Sequence, residues 1–378
     1  MAARSDDLLH QVLERVASNG VVPEGGAALL DVGTGPFIQY FQEEILEGLV
    51  SGGYATCKVI RGAYGSGKSH LADLLRDRAL GLNYLVVRTD LSQEIGFDDV
   101  QTLTRHIVEN MECRSGAGIL KGLPAILNNV ASSGPPAVDI TTRQQLPHTG
   151  YARAMSLLVN RRFKTIDDRE MLERFLLGDR IAAAEFASRQ MRGVKNSLNS
   201  RNAESILRTA ARVTRSLGFP GIVLLFDENE RTFEFRGHRP PARVVRAANF
   251  LRRWIDGCAS GKVGGTVAVF TVLPRFIENC TLAYPALGQR LESSREGAES
   301  WRWPVLDVEQ VTPGFSDVQF VEALAQRMTA LTSSRAPKLK PQALVAIGLK
   351  TLEKHAGSEY RRFVARQMAL TVLRELES

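Results

Sequence analysis

The sequence has little with which to cross-link itself. Its four cysteines, at 57, 113, 258 and 280, form no Cys-x-x-Cys pair, and no His/Cys cluster has zinc spacing. A disulfide scaffold and a sequence-local zinc site are thereby excluded, and a reducing, cytoplasmic compartment is the expectation. No apolar run is long enough to span a bilayer, and Met1–Asp7 lacks the apolar stretch of a secretory leader, so no membrane role is expected. No internal repeat is visible.

The chain is otherwise well supplied. Its 378 residues are 44% hydrophobic, enough for a large core and about two domains. Lys plus Arg exceeds Asp plus Glu by 48 to 41, a net charge of +7. That excess permits contact with nucleic acid without requiring it.

Residues 62–69 read Gly62-Ala63-Tyr64-Gly65-Ser66-Gly67-Lys68-Ser69, a complete G-x-x-x-x-G-K-[ST] phosphate loop. Cys57–Arg61 before it can form a strand, and His70–Arg76 after it carries helical apolar spacing. The glycines let the backbone curl so that successive N–H groups face an anion, and the following helix adds its positive end. Lys68 is expected on the β- and γ-phosphates, and Ser69 on magnesium. The bland alternative, a glycine-rich turn that binds nothing, is disfavoured by the strand–loop–helix context.

A second element fits the same chemistry. Gly221–Phe226 is an apolar run ending in Asp227 and Glu228, which reads as a strand buried on both faces. Acids at the carboxyl end of such a strand lie near the phosphate loop in an open α/β sheet. Asp227 is the candidate magnesium carboxylate and Glu228 the candidate that polarises the attacking water. Glu230 either supports the site or faces water.

Along the chain, helices are expected over 6–18, 37–50, 98–112, 151–161, 168–177, 181–195, 202–217 and 240–257. Strands are expected over 83–90, 265–272 and 303–307. Gly20-Val21-Val22-Pro23 breaks the first helix. The Gly-, Pro- and Ser-rich stretch 113–150 reads as an irregular connector, and 151–218 as a helical insertion. Residues 315–332, 340–355 and 359–377 form an all-helical tail. Alternating strands and helices predict a parallel sheet. The order of parts is that of an AAA+ P-loop NTPase: an α/β nucleotide-binding domain over 1–312, with the connector and insertion at 113–218, and a helical lid over 313–378.

Basic residues cluster twice. Residues 236–253 hold Arg236, Arg239, Arg243, Arg246, Arg252 and Arg253 and no acid; 181–218 holds seven Lys or Arg against Glu185 and Glu204. These faces are candidates for a DNA phosphate backbone; a solvated helix face or an acidic neighbouring subunit is the alternative. Few aromatics interleave with the arginines, so base stacking is weakly supported.

Four pieces recur together in a known family: Ile60–His70; Asn202-Ala203-Glu204; Gly218-Phe219-Pro220-Gly221 with Phe226-Asp227-Glu228-Asn229-Glu230; and Tyr284–Leu291. With them the chain, from about residue 10 to its end, resembles the ATP-binding P-loop proteins of BREX-type bacterial phage-defence systems, related to the origin-recognition branch of AAA+ ATPases. The resemblance implies ATP and Mg2+ as cofactors, and itself, DNA or other defence proteins as partners. It implies that Val21, Val22 and Pro23 line the adenine pocket. Thr271 then resembles sensor 1, although Val272 and Leu273 stand where small polar residues are common; a β-branched core threonine is the alternative. Arg290 resembles an arginine finger for a neighbour's site, or is a surface arginine. Arg361 resembles the sensor-2 arginine, with Tyr360 in place of the usual proline and Arg362 as its rival. The expected function is an ATPase coupling ATP binding and hydrolysis to assembly. The alternatives are a nucleotide-operated switch with negligible turnover and a small-molecule kinase, which the paired acids and helical tail oppose.

Overall fold

The computed structural model describes residues 2–92, 94–116, 118–133, 140, 146–227, 233–235, 239–291, 300–312, 315–355 and 359–377. Its centre is a seven-stranded sheet, ordered β4-β3-β2-β5-β6-β1-β7. The strands are β1 (Ala55–Arg61), β2 (Leu85–Asp90), β3 (Glu112–Ser115), β4 (Gly118–Lys121), β5 (Ile222–Asp227), β6 (Thr266–Val272) and β7 (Val305–Asp307). β7, β1, β6, β5 and β2 run parallel, while β3 and β4 add an antiparallel edge. This is a mixed α/β P-loop NTPase fold.

Alternation along the strands builds a separate core on each face of the sheet. Val59, Val87, Leu224, Phe226, Phe270 and Val272 enter one cluster, whereas Ile60, Val86, Val223, Leu225, Val267 and Val269 enter the other. Every residue of β5 and β6 is buried, as their apolar runs predict.

The helices, in chain order, begin with α1 (Ala2–Asn19), α2 (Gly35–Tyr40), α3 (Lys68–Gly81) and α4 (Val100–Glu109). Then come α5 (Leu123–Ser133), α6 (Thr149–Val159), α7 (Ile166–Leu176), α8 (Ala183–Ser188) and α9 (Ala203–Val213). α10 (Ala242–Ala259), α11 (Phe276–Ala283), α12 (Pro285–Leu291) and α13 (Val308–Val311) lead to the tail of α14 (Asp317–Thr332), α15 (Pro341–Lys354) and α16 (Tyr360–Glu377). α3 packs Leu71, Leu75 and Ala79 on one face of the sheet; α4, α9 and α10 serve the other.

Four expectations are corrected. The stretch 113–150 is not an irregular connector throughout: Glu112–Lys121 forms the β3–β4 hairpin, with Cys113 buried in it, and α5 follows. Leu123, Ile126, Leu127 and Val130 recur at helical spacing and enter the core, which outweighs the local glycines and serines. The helix expected over 181–195 is only α8, because Gln190, Gly193 and Asn196 take positive φ. Thereafter Asn199 and Asn202 hold the chain by side-chain bonds to its backbone. The helix expected over 37–50 is α2 continued by wider π-type turns over Phe41–Val50. β2 begins at Leu85 rather than Asn83.

A third core lies outside the sheet. Leu9, Val12, Leu13, Val16 and Leu30 pack against Val321, Met328, Leu344, Val364 and Met368. The first thirty residues therefore share the apolar interior of the tail. Arg327 donates to the carbonyls of Ala28 and Leu29, and Arg366 to that of Ala17.

Candidate functional site

The ends of three adjacent strands meet at the phosphate loop. β6 lies between β1 and β5, with Ile60 opposite Thr271 and Arg61 opposite Val272. The buried Thr271 hydroxyl donates to Asp227 Oδ1, while the carbonyl of the next residue, Val272, accepts the Gly62 N–H at 3.0 Å. Asp227 at the end of β5 and Gly62 at the start of the loop are thus tied to consecutive residues of one strand. Thr271 is both buried in the sheet and bonded to the acid.

The loop is anchored from the other side as well. Arg61 grips Asp307 with two parallel bonds, Nε to Oδ1 at 2.6 Å and Nη2 to Oδ2 at 2.8 Å. A Cβ on Gly62 would come within 2.7 Å of Val308 Cγ1, so glycine is needed for this approach. Gly67 has φ +97° and caps α3, and a Cβ there would meet nothing within 4 Å. Ser66 Oγ is buried without a hydrogen-bond partner among the described residues. Open space beside Gly67 and an unpaired hydroxyl fit a phosphate group. Lys68 Nζ donates to the carbonyls of Gly62 at 2.9 Å and Ala63 at 2.8 Å, and lies 5.8 Å from the Tyr64 ring centroid. Ala63 and Tyr64 are exposed, as is Ser69 in the first turn of α3. Its hydroxyl and the Asp227 carboxylate are both hard oxygen donors, suited to magnesium. Among the described residues no group of three or more His, Cys, Asp or Glu is arranged to hold a metal by itself.

Two residues of the site escaped the reading of the sequence. Arg88 on β2 lies 3.5 Å from Asp227 Oδ2, 3.1 Å from Asp73 Oδ1 and 3.8 Å from Asp90 Oδ1. Asp73 stands one helical turn after Ser69 on α3. Burial pushes its carboxyl up to about 6, against the pull of Arg88. The available signal was a single arginine inside the otherwise apolar start of β2, pointing to a carboxylate elsewhere.

The helical tail reaches the loop. Arg361 Nη1 donates to the Ser66 carbonyl at 3.3 Å, and its guanidinium is braced by the Phe320 and Tyr360 rings. A Cβ on Gly65 would come within 2.6 Å of the Glu359 Cα. Arg362 instead pairs with Glu359 at 3.9 Å and packs under Gly20. Of the two rival arginines, Arg361 is the one that touches the phosphate loop.

The model of the family described as BREX system ATP-binding protein BrxC/D matches the chain over residues 8–171 and 148–369. The chain belongs to that family. No curated protein and no solved structure gives a match. ATP is accordingly the ligand of this BREX protein, and its phosphate loop is the element chemically suited to it.

The remaining expected residues of the BREX ATP-binding protein fall in different places. Val21 is exposed and Val22 and Pro23 half-buried, in a segment that runs between the tail and α3: Gly20 abuts Arg362, and Glu24 pairs with Arg76. His70 is half-buried; burial lowers its pKa, with Asp31 opposing. Arg290 is not at the loop of its own chain. It pairs with Asp256, which also holds Arg252 at 2.8 Å, and donates to the Ala286 carbonyl at 2.6 Å. Glu228, Glu230 and Arg236 lie outside the described residues.

The basic faces are partly neutralised within the chain. Arg208 and Arg253 pair with Glu204 at 2.6 and 3.1 Å, Arg189 with Asp168 at 3.0 Å, and Arg246 with Asp98 at 3.9 Å. Arg192, Lys195, Arg201, Arg239 and Arg243 are exposed. No helix among the described residues is long and apolar enough to cross a membrane.

Proposed function

We propose that this BREX ATP-binding protein is an AAA+ ATPase that hydrolyses ATP with magnesium and couples the cycle to movement of its helical tail. The observation supporting this reading most directly is the pair of bonds on β6: Thr271 to Asp227 and Val272 to Gly62. They tie a carboxylate and the glycine loop to one strand end, which supports a shared role in phosphoryl transfer.

In this reading the loop N–H groups and Lys68 hold the phosphates, with Lys68 exchanging its carbonyl partners for phosphate oxygens. Ser69 and Asp227 hold magnesium, which supplies charge neutralisation on the transferring group. Thr271 keeps Asp227 oriented. Glu228, directly after Asp227 in sequence, accepts the proton of the attacking water. Arg361 lies over the loop from the tail, so phosphate binding alters the contact between tail and sheet. Val21, Val22, Pro23 and His70 border the base side. Arg290 acts on a neighbouring copy after leaving Asp256. Partners are other defence proteins, a second copy, or DNA tracked by the exposed arginines of 181–218 and 236–253.

Steady-state phosphate release tests the enzyme reading. Wild-type protein turns over ATP, and Glu228→Gln keeps ATP binding while losing roughly a hundredfold or more in turnover. Unchanged turnover would remove Glu228 from its role. A second reading, a switch with negligible turnover, is favoured by the close seat of Glu359 on Gly65. It predicts ATP-dependent changes in the tail without phosphate release.

A further inference from the structure

We propose that Arg88 is a built-in cation that competes with the divalent ion for Asp227, and so sets the metal concentration at which the protein holds its nucleotide. This inference rests on the nucleotide reading above.

β2 reads Leu85-Val86-Val87-Arg88-Thr89-Asp90 and lies beside β5, with Asp90 opposite Asp227. The Arg88 side chain is only 28% exposed. Its geometry is not that of a structural fork. Its Nε is buried without a hydrogen-bond partner among the described residues, and its two terminal nitrogens are shared among three carboxylates at 3.1 to 3.8 Å. A paired, bidentate arginine on this chain looks different, as Arg61 on Asp307 does. Arg88 therefore contributes a placed charge more than a rigid clamp.

That charge stands against the second carboxylate oxygen of the buried Asp227. Thr271 takes Oδ1 of Asp227, and Arg88 stands by Oδ2. A divalent ion approaching this carboxylate meets a resident positive charge and must displace or repel it. Asp73 and Asp90 give the guanidinium somewhere to go, since both already lie within its reach. Asp73 sits on the helix that carries Ser69, so the displaced arginine stays fixed to the same element. Repulsion between a monovalent and a divalent cation about 6 Å apart is worth roughly tenfold in affinity even at the dielectric of water.

The test uses the full chain and the fluorescent nucleotide mant-ATP at fixed concentration, with Mg2+ titrated from an EDTA baseline. Arg88→Met is expected to lower the half-saturating Mg2+ roughly tenfold, and Arg88→Lys, which keeps the charge, to remain close to wild type. Asp73→Asn leaves the guanidinium to Asp227 and raises the requirement. Arg88→Met needing as much Mg2+ as wild type, or more, would overturn the proposal. Should that variant not fold, an unchanged or lowered requirement in Asp73→Asn overturns it equally. Wild-type protein that binds no mant-ATP at all defeats the nucleotide reading and this inference together. Binding whose Mg2+ demand neither variant moves defeats the Arg88 role alone.

Discussion

Lys68 and Asp73 both sit on the first two turns of α3, and both are ions held away from water. Lys68 finds two carbonyls of its own loop; among the described residues Asp73 pairs with Arg88, with a weaker pull from Arg76. The consequence for Asp73 is a carboxyl raised to about 6 by burial, above its value of about 4 in an unfolded chain. The folded state thus binds this proton more tightly than the unfolded state does. The stability that protonation contributes is complete below about pH 4 and is lost as pH rises through about 6. It is worth at most about 3 kcal/mol. Urea unfolding between pH 4 and 7 reads this directly: Asp73→Asn should flatten the decline across that window, and a variant with the wild-type slope would place the titration elsewhere.

At the scale of elements, α3 joins parts that are distant in the chain. Arg76, 4% exposed, pairs with Glu112 of β3 at 2.8 Å, Asp77 at 3.0 Å and Glu24 of the segment after α1. It fastens the helix behind the phosphate loop both to the edge hairpin and to the segment leading to the tail. Arg76→Ala leaves a largely buried Glu112 without its cation and should cost about 3–5 kcal/mol in denaturant unfolding. Arg174→Ala, which breaks an exposed pair with Asp179, should cost about 1 kcal/mol or less. Similar costs for the two would contradict the joint. Elements were legible where periodicity was strong. β5 and β6 are largely apolar runs, and α14, α15 and α16 follow the helical stretches expected over 315–332, 340–355 and 359–377. The β3–β4 hairpin was missed because four-residue strands around a glycine turn show too little alternation. α8 was overextended because positive φ at Gln190 and Asn196 leaves no mark in composition.

Across the whole molecule, two apolar cores cover the faces of the sheet and a third joins the N-terminal helix to the tail. The parallel sheet and the helical tail were legible in the sequence, as was the loop itself. The place of the N-terminal helix was not: α1 is amphipathic, and nothing local says which core receives Val12 and Leu13. Nor was Arg88, because its partners come from α3 and β5. That Arg361 rather than Arg362 touches the loop likewise needed the fold, since adjacent residues on one helix differ only in direction. The tail touches the loop at Ser66, through Arg361, and at Gly65, through Glu359. Whether the glycine loop and Asp227 hold one triphosphate–metal complex is read most directly by calorimetric titration of ATP into wild type, Lys68→Ala and Asp227→Asn, each with and without Mg2+. Expected are binding strengthened by Mg2+ in wild type, a loss of roughly a hundredfold in Lys68→Ala, and Mg2+-insensitive binding in Asp227→Asn. Wild-type affinity in Lys68→Ala, or an undiminished Mg2+ effect in Asp227→Asn, would contradict a shared complex.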